Sequence, residues 1–131
     1  MINRQQETLT TEKERLTALR SYHVLDTMPE KESDAITRLA SYICNVPVAL
    51  ITLIDADRQW FKSEYGADIG ETPRVGAFCN HTIQSDDLLE VDDTLLDETF
   101  KDNIYVSSEN IRFYAGAPLV DPDGYRLGAP A

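Results

Sequence analysis

Residues 47–63, Pro-Val-Ala-Leu-Ile-Thr-Leu-Ile-Asp-Ala-Asp-Arg-Gln-Trp-Phe-Lys-Ser, constrain the fold more than any other stretch of the chain. From 48 to 54 every residue but Thr52 is apolar. Read with the two-residue period of a strand, Ala49, Ile51 and Leu53 face one way and Val48, Leu50 and Ile54 the other. Both faces are apolar, the pattern of a strand covered above and below. The richness in Val, Ile and Leu, over so short a run, favours a strand over a buried helix. Asp55-Ala56-Asp57 is turn chemistry, short polar side chains that tolerate unusual backbone angles. Residues 58–63 alternate charged, polar and aromatic types, as a half-exposed partner strand does. The sequence therefore predicts a hairpin whose first arm is either a central strand or an exposed apolar edge that seeks another chain.

A chain of 131 residues fits one domain around that hairpin. The net charge of −11 repels phosphate backbones and anionic lipid, so neither nucleic acid nor a membrane is an expected partner. No apolar run approaches the roughly 18 residues of a membrane span. Two cysteines, Cys44 and Cys79, make no disulfide framework, and a reducing, cytoplasmic setting is the expectation.

Residues 1–11 are polar and read as a flexible N-terminus, with a single domain over 12–131. Thr11 and Glu14 have capping-box spacing, which predicts a helix from about residue 12 with Leu16 and Leu19 on its apolar stripe. Thr27 and Glu30 repeat that spacing around Pro29. Ile36, Leu39, Ala40, Ile43 and Cys44 then recur at helical intervals, the cleanest such pattern in the chain, and predict a buried stripe with Cys44 as a small core residue. Asn45 and Pro47 end that helix. Residues 65–73 read as a loop, 78–82 as a short helix or turn, and 88–91 as a short strand. The long polar connection 92–110, with a helical turn near Phe100, reads as a lid or binding loop. Residues 112–120 read as one strand and Asp121-Pro122-Asp123-Gly124 as a tight turn. A return strand begins at 125 and is stopped by Gly128-Ala129-Pro130-Ala131. Two helices followed by mostly antiparallel strands make an α+β fold.

The segments Glu14-Arg15-Leu16-x-Ala18-Leu19, Tyr22-x-Val24-Leu25-Asp26-Thr27-x-Pro29-Glu30, Val46-Pro47-Val48-Ala49-Leu50-Ile51, Asp57-Arg58-Gln59-Trp60-Phe61-Lys62-Ser63, Phe78-Cys79-x-His81-Thr82-Ile83 and Arg112-Phe113-Tyr114-Ala115-Gly116-Ala117-Pro118-Leu119 resemble, in this order, the GAF domains of bacterial sensor histidine kinases and diguanylate cyclases. The resemblance spans nearly all of 12–128. It implies a central antiparallel sheet, helices on one face, and on the other a small-molecule pocket roofed by 74–84 and 92–111. It also implies a regulatory role. Two positions depart from the family pattern. Ser33 stands where many relatives carry phenylalanine. Gly128-Ala129-Pro130-Ala131 stands where relatives continue into a last strand and a C-terminal helix, so that strand and helix are expected to be missing.

Several residues near the implied pocket carry chemistry. Cys79 and His81 suggest a nucleophile and base, but no third group orients the histidine and no oxyanion-hole motif is visible. Pocket wall or plain packing is the favoured role for both. The four Cys and His residues have no zinc-ligand spacing. Glu90, Asp92, Asp93 and Asp97 lack the spacing and turn glycine of a calcium loop. Lys62, Arg74 and Arg112 are placed either to neutralise an anionic ligand or to form surface ion pairs, with ion pairs favoured. Trp60 and Phe61, as strand neighbours, face opposite sides, so only one of them lines the pocket.

Phe61, Arg74, Phe78, Cys79, His81, Arg112 and Tyr114 are the candidate ligand-binding residues. The expected function is a non-enzymatic sensor domain, homodimeric through its N-terminal helix, with a cofactor or ligand that the sequence does not identify. A purely structural dimerisation module is the second reading. A thiol enzyme of the free methionine sulfoxide reductase type is the third, and two cysteines, one of them on a core stripe, count against it.

Overall fold

In the computed structural model, which describes residues 4–98, 100, 101, 103, 111 and 113–131 (with side chains from residue 11 onward), the hairpin lies at the middle of the sheet. Strand β1, Ala49–Ile54, pairs antiparallel with β2, Arg58–Tyr65, on one side. On its other side it pairs with β7, Arg126–Pro130, through Leu53 with Gly128, Thr52 with Ala129 and Ile51 with Pro130. Leu50 and Ala131 exchange two further backbone hydrogen bonds, at 2.6 and 2.7 Å. The last strand is therefore present and runs past Leu127, contrary to the expected stop. Pro130 is tolerated because its carbonyl still accepts a bond, from the Ala117 N–H at 3.2 Å. Short strands β3, Glu71–Pro73, and β6, Leu119–Val120, complete the order β3-β2-β1-β7-β6.

A second, two-stranded sheet pairs β4, Leu89–Val91, with β5, Tyr114–Gly116. The single strand expected over 112–120 is thus two strands in two sheets, broken at Ala117 and Pro118. Residues 121–124 form the expected turn: the Asp121 carboxylate accepts from the N–H groups of Asp123 and Tyr125, and Gly124 takes φ +90°.

Helix α1 covers Arg4–Ser21, so it begins well before the Thr11 signal, and Thr11 lies inside it. Leu19, at 1% exposure, packs with Leu53 and Leu127 and with the half-buried Trp60. Ile54 points to the other face, where it meets Cys79, Ile83 and Ala129. The two-faced reading of β1 is what the packing shows.

Helix α2, Lys31–Cys44, departs from expectation. Its apolar stripe points outward: Ile36, Leu39, Ile43 and Cys44 are all exposed. The residues it buries are Thr37 and Ser41. The cause lies in β2. The register shifts as Ile51 pairs with Ser63 and Thr52 with Phe61, leaving Lys62 as the extra residue of a bulge. Phe61, Lys62 and Ser63 are all buried as a result. Two adjacent polar groups then need partners, because a buried unpaired polar group is costly. Ser63 donates to Asp34 at 2.7 Å and shares a hydrogen bond with Thr37 at 2.8 Å. Lys62 Nζ donates to Thr27 Oγ1, the Met28 carbonyl and Glu30. Thr27 and Glu30 are thereby spent on Lys62 and do not form the expected capping box; Glu30 is the N-cap residue without a side-chain cap. At its other end α2 stops as predicted, with Asn45 left-handed at φ 52°.

Candidate functional site

Helix α3, Phe78–Thr82, lies against the face of the sheet opposite α1. The turn that precedes it is set by Gly76 at φ +84° and by the Ala77 N–H donating to the Arg74 carbonyl. Five residues give little more than one turn, yet this turn buries Phe78, Cys79 and Thr82 together. Phe78 stacks on Tyr114 of β5, with ring centroids 5.0 Å apart and an interplanar angle of 18°. On its other side it meets Phe100 at 4.7 Å, and the exposed His81 sits edge-on to Phe100 at 4.9 Å. Val91 of β4 closes the cluster. Asn103 donates to the Gly76 carbonyl at 2.8 Å and ties the turn after Phe100 to the entry of α3.

A buried polar chain runs beneath these rings. The Tyr114 hydroxyl shares hydrogen bonds with Thr82 Oγ1 at 2.7 Å and Cys79 Sγ at 3.2 Å. Thr52, whose hydroxyl donates to the Ala129 carbonyl at 3.1 Å, is a further polar influence on the thiol. Gly116 makes room for this arrangement: a Cβ there would lie 2.2 Å from the Tyr114 hydroxyl. Burial raises the Cys79 thiol, against smaller lowering by Thr52 and Tyr114. Burial likewise pushes the Tyr114 phenol up. Both groups stay protonated at neutral pH, so the thiol is not poised as a nucleophile. We expect a disulfide reagent to titrate Cys44 at once in the native protein. Cys79 should react slower by at least about 100-fold until denaturant is added. Two equally fast thiols would contradict the packing.

Of the candidate residues, Phe78, Cys79, His81 and Tyr114 are brought together. Phe61 is buried in the sheet opposite Thr52. Trp60 goes to the α1 side, as the strand alternation requires. Arg112 lies outside the described residues. Arg74 reaches away from the rings: it donates to Glu12 of α1, to Asn80 of α3 at 2.8 Å and to the Asp55 carbonyl at 3.2 Å. Lys62 is bonded as described above, so both described cations form ion pairs, Lys62 as a largely buried one.

Thr52, Thr82 and Phe100 were not among the candidates, although each left a trace in the sequence. Thr52 is the lone polar residue of an apolar strand. Thr82 follows Phe78 by four residues, one helical turn. Phe100 is an aromatic isolated in a polar run.

Among the described residues, no group of three or more His, Cys, Asp or Glu is placed to hold a metal ion. Two concavities lie outside the aromatic cluster. An apolar groove of about 290 Å³ lies on the α1 face between Leu19, Tyr22, Leu119 and Leu127. A polar cleft of about 430 Å³ lies at the β1–β2 turn, between Asp57, Arg74, Asn80 and Gln84. The space beneath α3 is filled by Phe78, Phe100 and Tyr114 themselves.

Comparison with known proteins agrees with this architecture. The sequence model of the GAF domain matches residues 29–129. A cyclic di-GMP phosphodiesterase of Pseudomonas aeruginosa is 44% identical over 97 residues, which are 73% of this chain and 16% of that protein. Among solved structures, the GAF domain of an Acinetobacter phosphoenolpyruvate-protein phosphotransferase superposes with a TM-score of 0.58 at 14% identity, covering 99% of this chain and 76% of that one. A putative GAF sensor protein of Burkholderia vietnamiensis gives 0.60 at 13% identity, with 93% and 73% covered. A free methionine-R-sulfoxide reductase of Neisseria meningitidis gives 0.60 at 17% identity, with 91% and 70% covered. At such identities these structures share the fold.

Proposed function

Because the chain belongs to the GAF domain family, we propose that it is the regulatory, small-molecule-sensing part of a longer signalling protein, without enzyme activity of its own. The observation that carries this reading is the bridge made by Arg74. One guanidinium joins Asn80, in the helix that walls the aromatic cluster, to Glu12 in the N-terminal helix. A ligand that parts Phe78 from Tyr114 displaces α3, and Arg74 passes the displacement to α1. The elements that must move are short: α3 has five residues and β4 and β5 three each. Short elements with few contacts open at low cost. Ligand contact then falls to Phe78, Cys79, His81 and Tyr114, with Phe61 and Arg112 kept as candidates from the sequence.

The Pseudomonas relative favours cyclic di-GMP turnover as the regulated output. A cytoplasmic homodimer through the N-terminal helix is part of the same proposal. The reductase reading is weaker. Its two cysteines lie on different helices, one exposed and one buried with a raised thiol.

The test is a thermal-shift panel of cyclic di-GMP, guanine nucleotides, biliverdin, haem and free methionine sulfoxide. A true ligand at 100 times its Kd adds about 2.7 kcal/mol, a rise of several degrees. Phe78→Ala should abolish that rise. No stabilisation by any member of the panel, or a rise that survives Phe78→Ala, would count against sensing at this cluster.

A further inference from the structure

The connection between α1 and α2, residues 22–30, holds two side-chain-bearing residues in left-handed backbone: His23 at φ 54° and Asp26 at φ 61°. None of its residues is glycine, so both positions carry the steric cost that a Cβ meets there. Such a conformation persists only where neighbouring structure over-determines it. Here the neighbour is β2. Arg58 grips the Asp26 carboxylate with both arms, at 2.7 and 2.8 Å. Further along the strand, the buried Lys62 holds Thr27, the Met28 carbonyl and Glu30. Val24 and Leu25 are half-buried against the core of Leu19, Leu53 and Leu127. The connection makes no backbone-to-backbone hydrogen bond to the sheet among the described residues. Those it makes are local, from the His23 N–H to the Arg20 carbonyl and from the Thr27 N–H to the Val24 carbonyl.

We infer that this connection is a strained strap latched by Arg58, which opens as a unit while the sheet stays folded and so frees the C-terminal end of α1. Two effects oppose each other in it. The left-handed residues favour release, because an open strap lets both return to ordinary backbone angles. The bidentate pair of Arg58 with Asp26 resists release. Isolated surface ion pairs contribute little, but a forked arginine within a network is the exception. Asp26 is exposed, and its hydrogen bonds from Arg58 hold its carboxyl below the ordinary value. The latch is also shared. Arg58 Nη1 donates to Glu71 of the edge strand β3 at 3.0 Å, and Nε donates to Asp55 of the β1–β2 turn at 3.1 Å. A displacement of β3 or of that turn therefore alters the hold on Asp26. A short segment with local backbone bonds and two half-buried apolar side chains belongs to the part of a domain that opens first. The strap is independent of whether the aromatic cluster binds a ligand.

Limited proteolysis with thermolysin, which cuts before large apolar residues, measures the opening at Val24 and Leu25 through the masses of the fragments. Arg58→Met should raise that rate by at least about tenfold, with circular dichroism unchanged and cutting at Leu53 and Leu127 of the sheet no faster than in the parent. If Arg58→Met fails to fold, Asp26→Asn, which tolerates the left-handed backbone and loses the charge, is read in its place. His23→Gly supplies the second arm. The exposed His23 side chain makes no hydrogen bond or ion pair among the described residues, so this change relieves the backbone and removes no such partner. Cutting should then slow by about threefold, because glycine takes φ 54° without a steric cost. In a strap without stored strain, glycine only loosens the open chain and cutting speeds up. A rate at Val24 and Leu25 that the latch variant leaves unchanged overturns the inference. Equal or faster cutting in His23→Gly overturns it too, and so do sheet sites cut as fast as the strap, since opening would then be global.

Discussion

Replacing Gly128 by alanine is expected to destabilise the domain by about 3 kcal/mol or more and to lower the Tm by about 10 °C. Gly128 sits in β7, paired with Leu53 of β1 on one side and Leu119 of β6 on the other. A Cβ added there would lie 1.9 Å from the Thr52 carbonyl oxygen and 2.7 Å from the Leu53 Cα. Both neighbours are backbone atoms of the central strand, so no side chain can swing aside to relieve the clash. The strands must separate, and the flanking Leu127 and Ala129 anchor opposite faces of the sheet. One methyl group therefore loosens both cores. Gly124→Ala is the control. That glycine also has a constrained backbone, φ +90°, but nothing lies within 4 Å of its would-be Cβ. Its cost should be the left-handed penalty alone, about 1 kcal/mol. Urea denaturation followed by circular dichroism compares the two, and a Gly128→Ala loss no greater than that of Gly124→Ala would refute the close approach.

The second large effect concerns Arg15 and Glu12. Arg15 is 5% exposed, and its guanidinium donates to the Ile54 carbonyl at 2.7 Å, to the Arg126 carbonyl at 3.3 Å and to both oxygens of Glu12. It thus pins α1 to the ends of β1 and β7. Arg15→Met strands these acceptors and should cost about 3 kcal/mol, because a half-removed buried pair leaves unpaired polar groups behind.

The same cluster sets an acid limit. Burial raises the Glu12 carboxyl, but the hydrogen bonds from Arg15 and Arg74 outweigh it and hold the group at about 2, against an ordinary value of 4.5. The unfolded chain then takes up the proton more readily than the folded one, so acid favours unfolding. Glu12 contributes its full stabilisation above pH 4.5 and loses it as the pH falls to about 2. The drop corresponds to at most about 3 kcal/mol, and to less after solvent screening of a side chain 31% exposed. Glu12→Gln should be less stable than the parent at neutral pH and nearly equal to it at pH 2. A Glu12→Gln stability curve parallel to that of the parent between pH 4.5 and 2 would remove Glu12 from the account of acid unfolding.

Most of the fold was legible in local sequence. The spine strand, the turn at 55–57, the short helix at 78–82, the left-handed stop at Asn45 and the tight turn at 121–124 all lie where composition and periodicity place them. The errors share a cause. Thr27 and Glu30 have the spacing of a helix cap, but Lys62, more than 30 positions away in sequence, claims both. Residues 128–131 look like a strand stop, because glycine and proline weaken isolated strands. In the sheet, Gly128 is required by close approach and Pro130 needs no N–H bond on its partnered edge. The candidate site was legible by residue type and only partly by grouping. Phe78, Cys79, His81 and Tyr114 converge, whereas Arg74 is drawn to Glu12 by an ion pair between segments 62 positions apart.

The sequence by itself determined that 48–54 is a strand with two apolar faces, since a period of two and its side chains admit little else. It also determined that α2 is an amphipathic helix with one apolar side. Only the tertiary structure decided which side of that helix the domain keeps. A bulge in β2, set by the pairing of Ile51 with Ser63 and Thr52 with Phe61, turns a lysine and a serine toward α2. Satisfying those polar groups took precedence over burying Ile36, Leu39 and Ile43, because one of them is the charged Lys62, and a buried ammonium without partners costs far more than a neutral donor does.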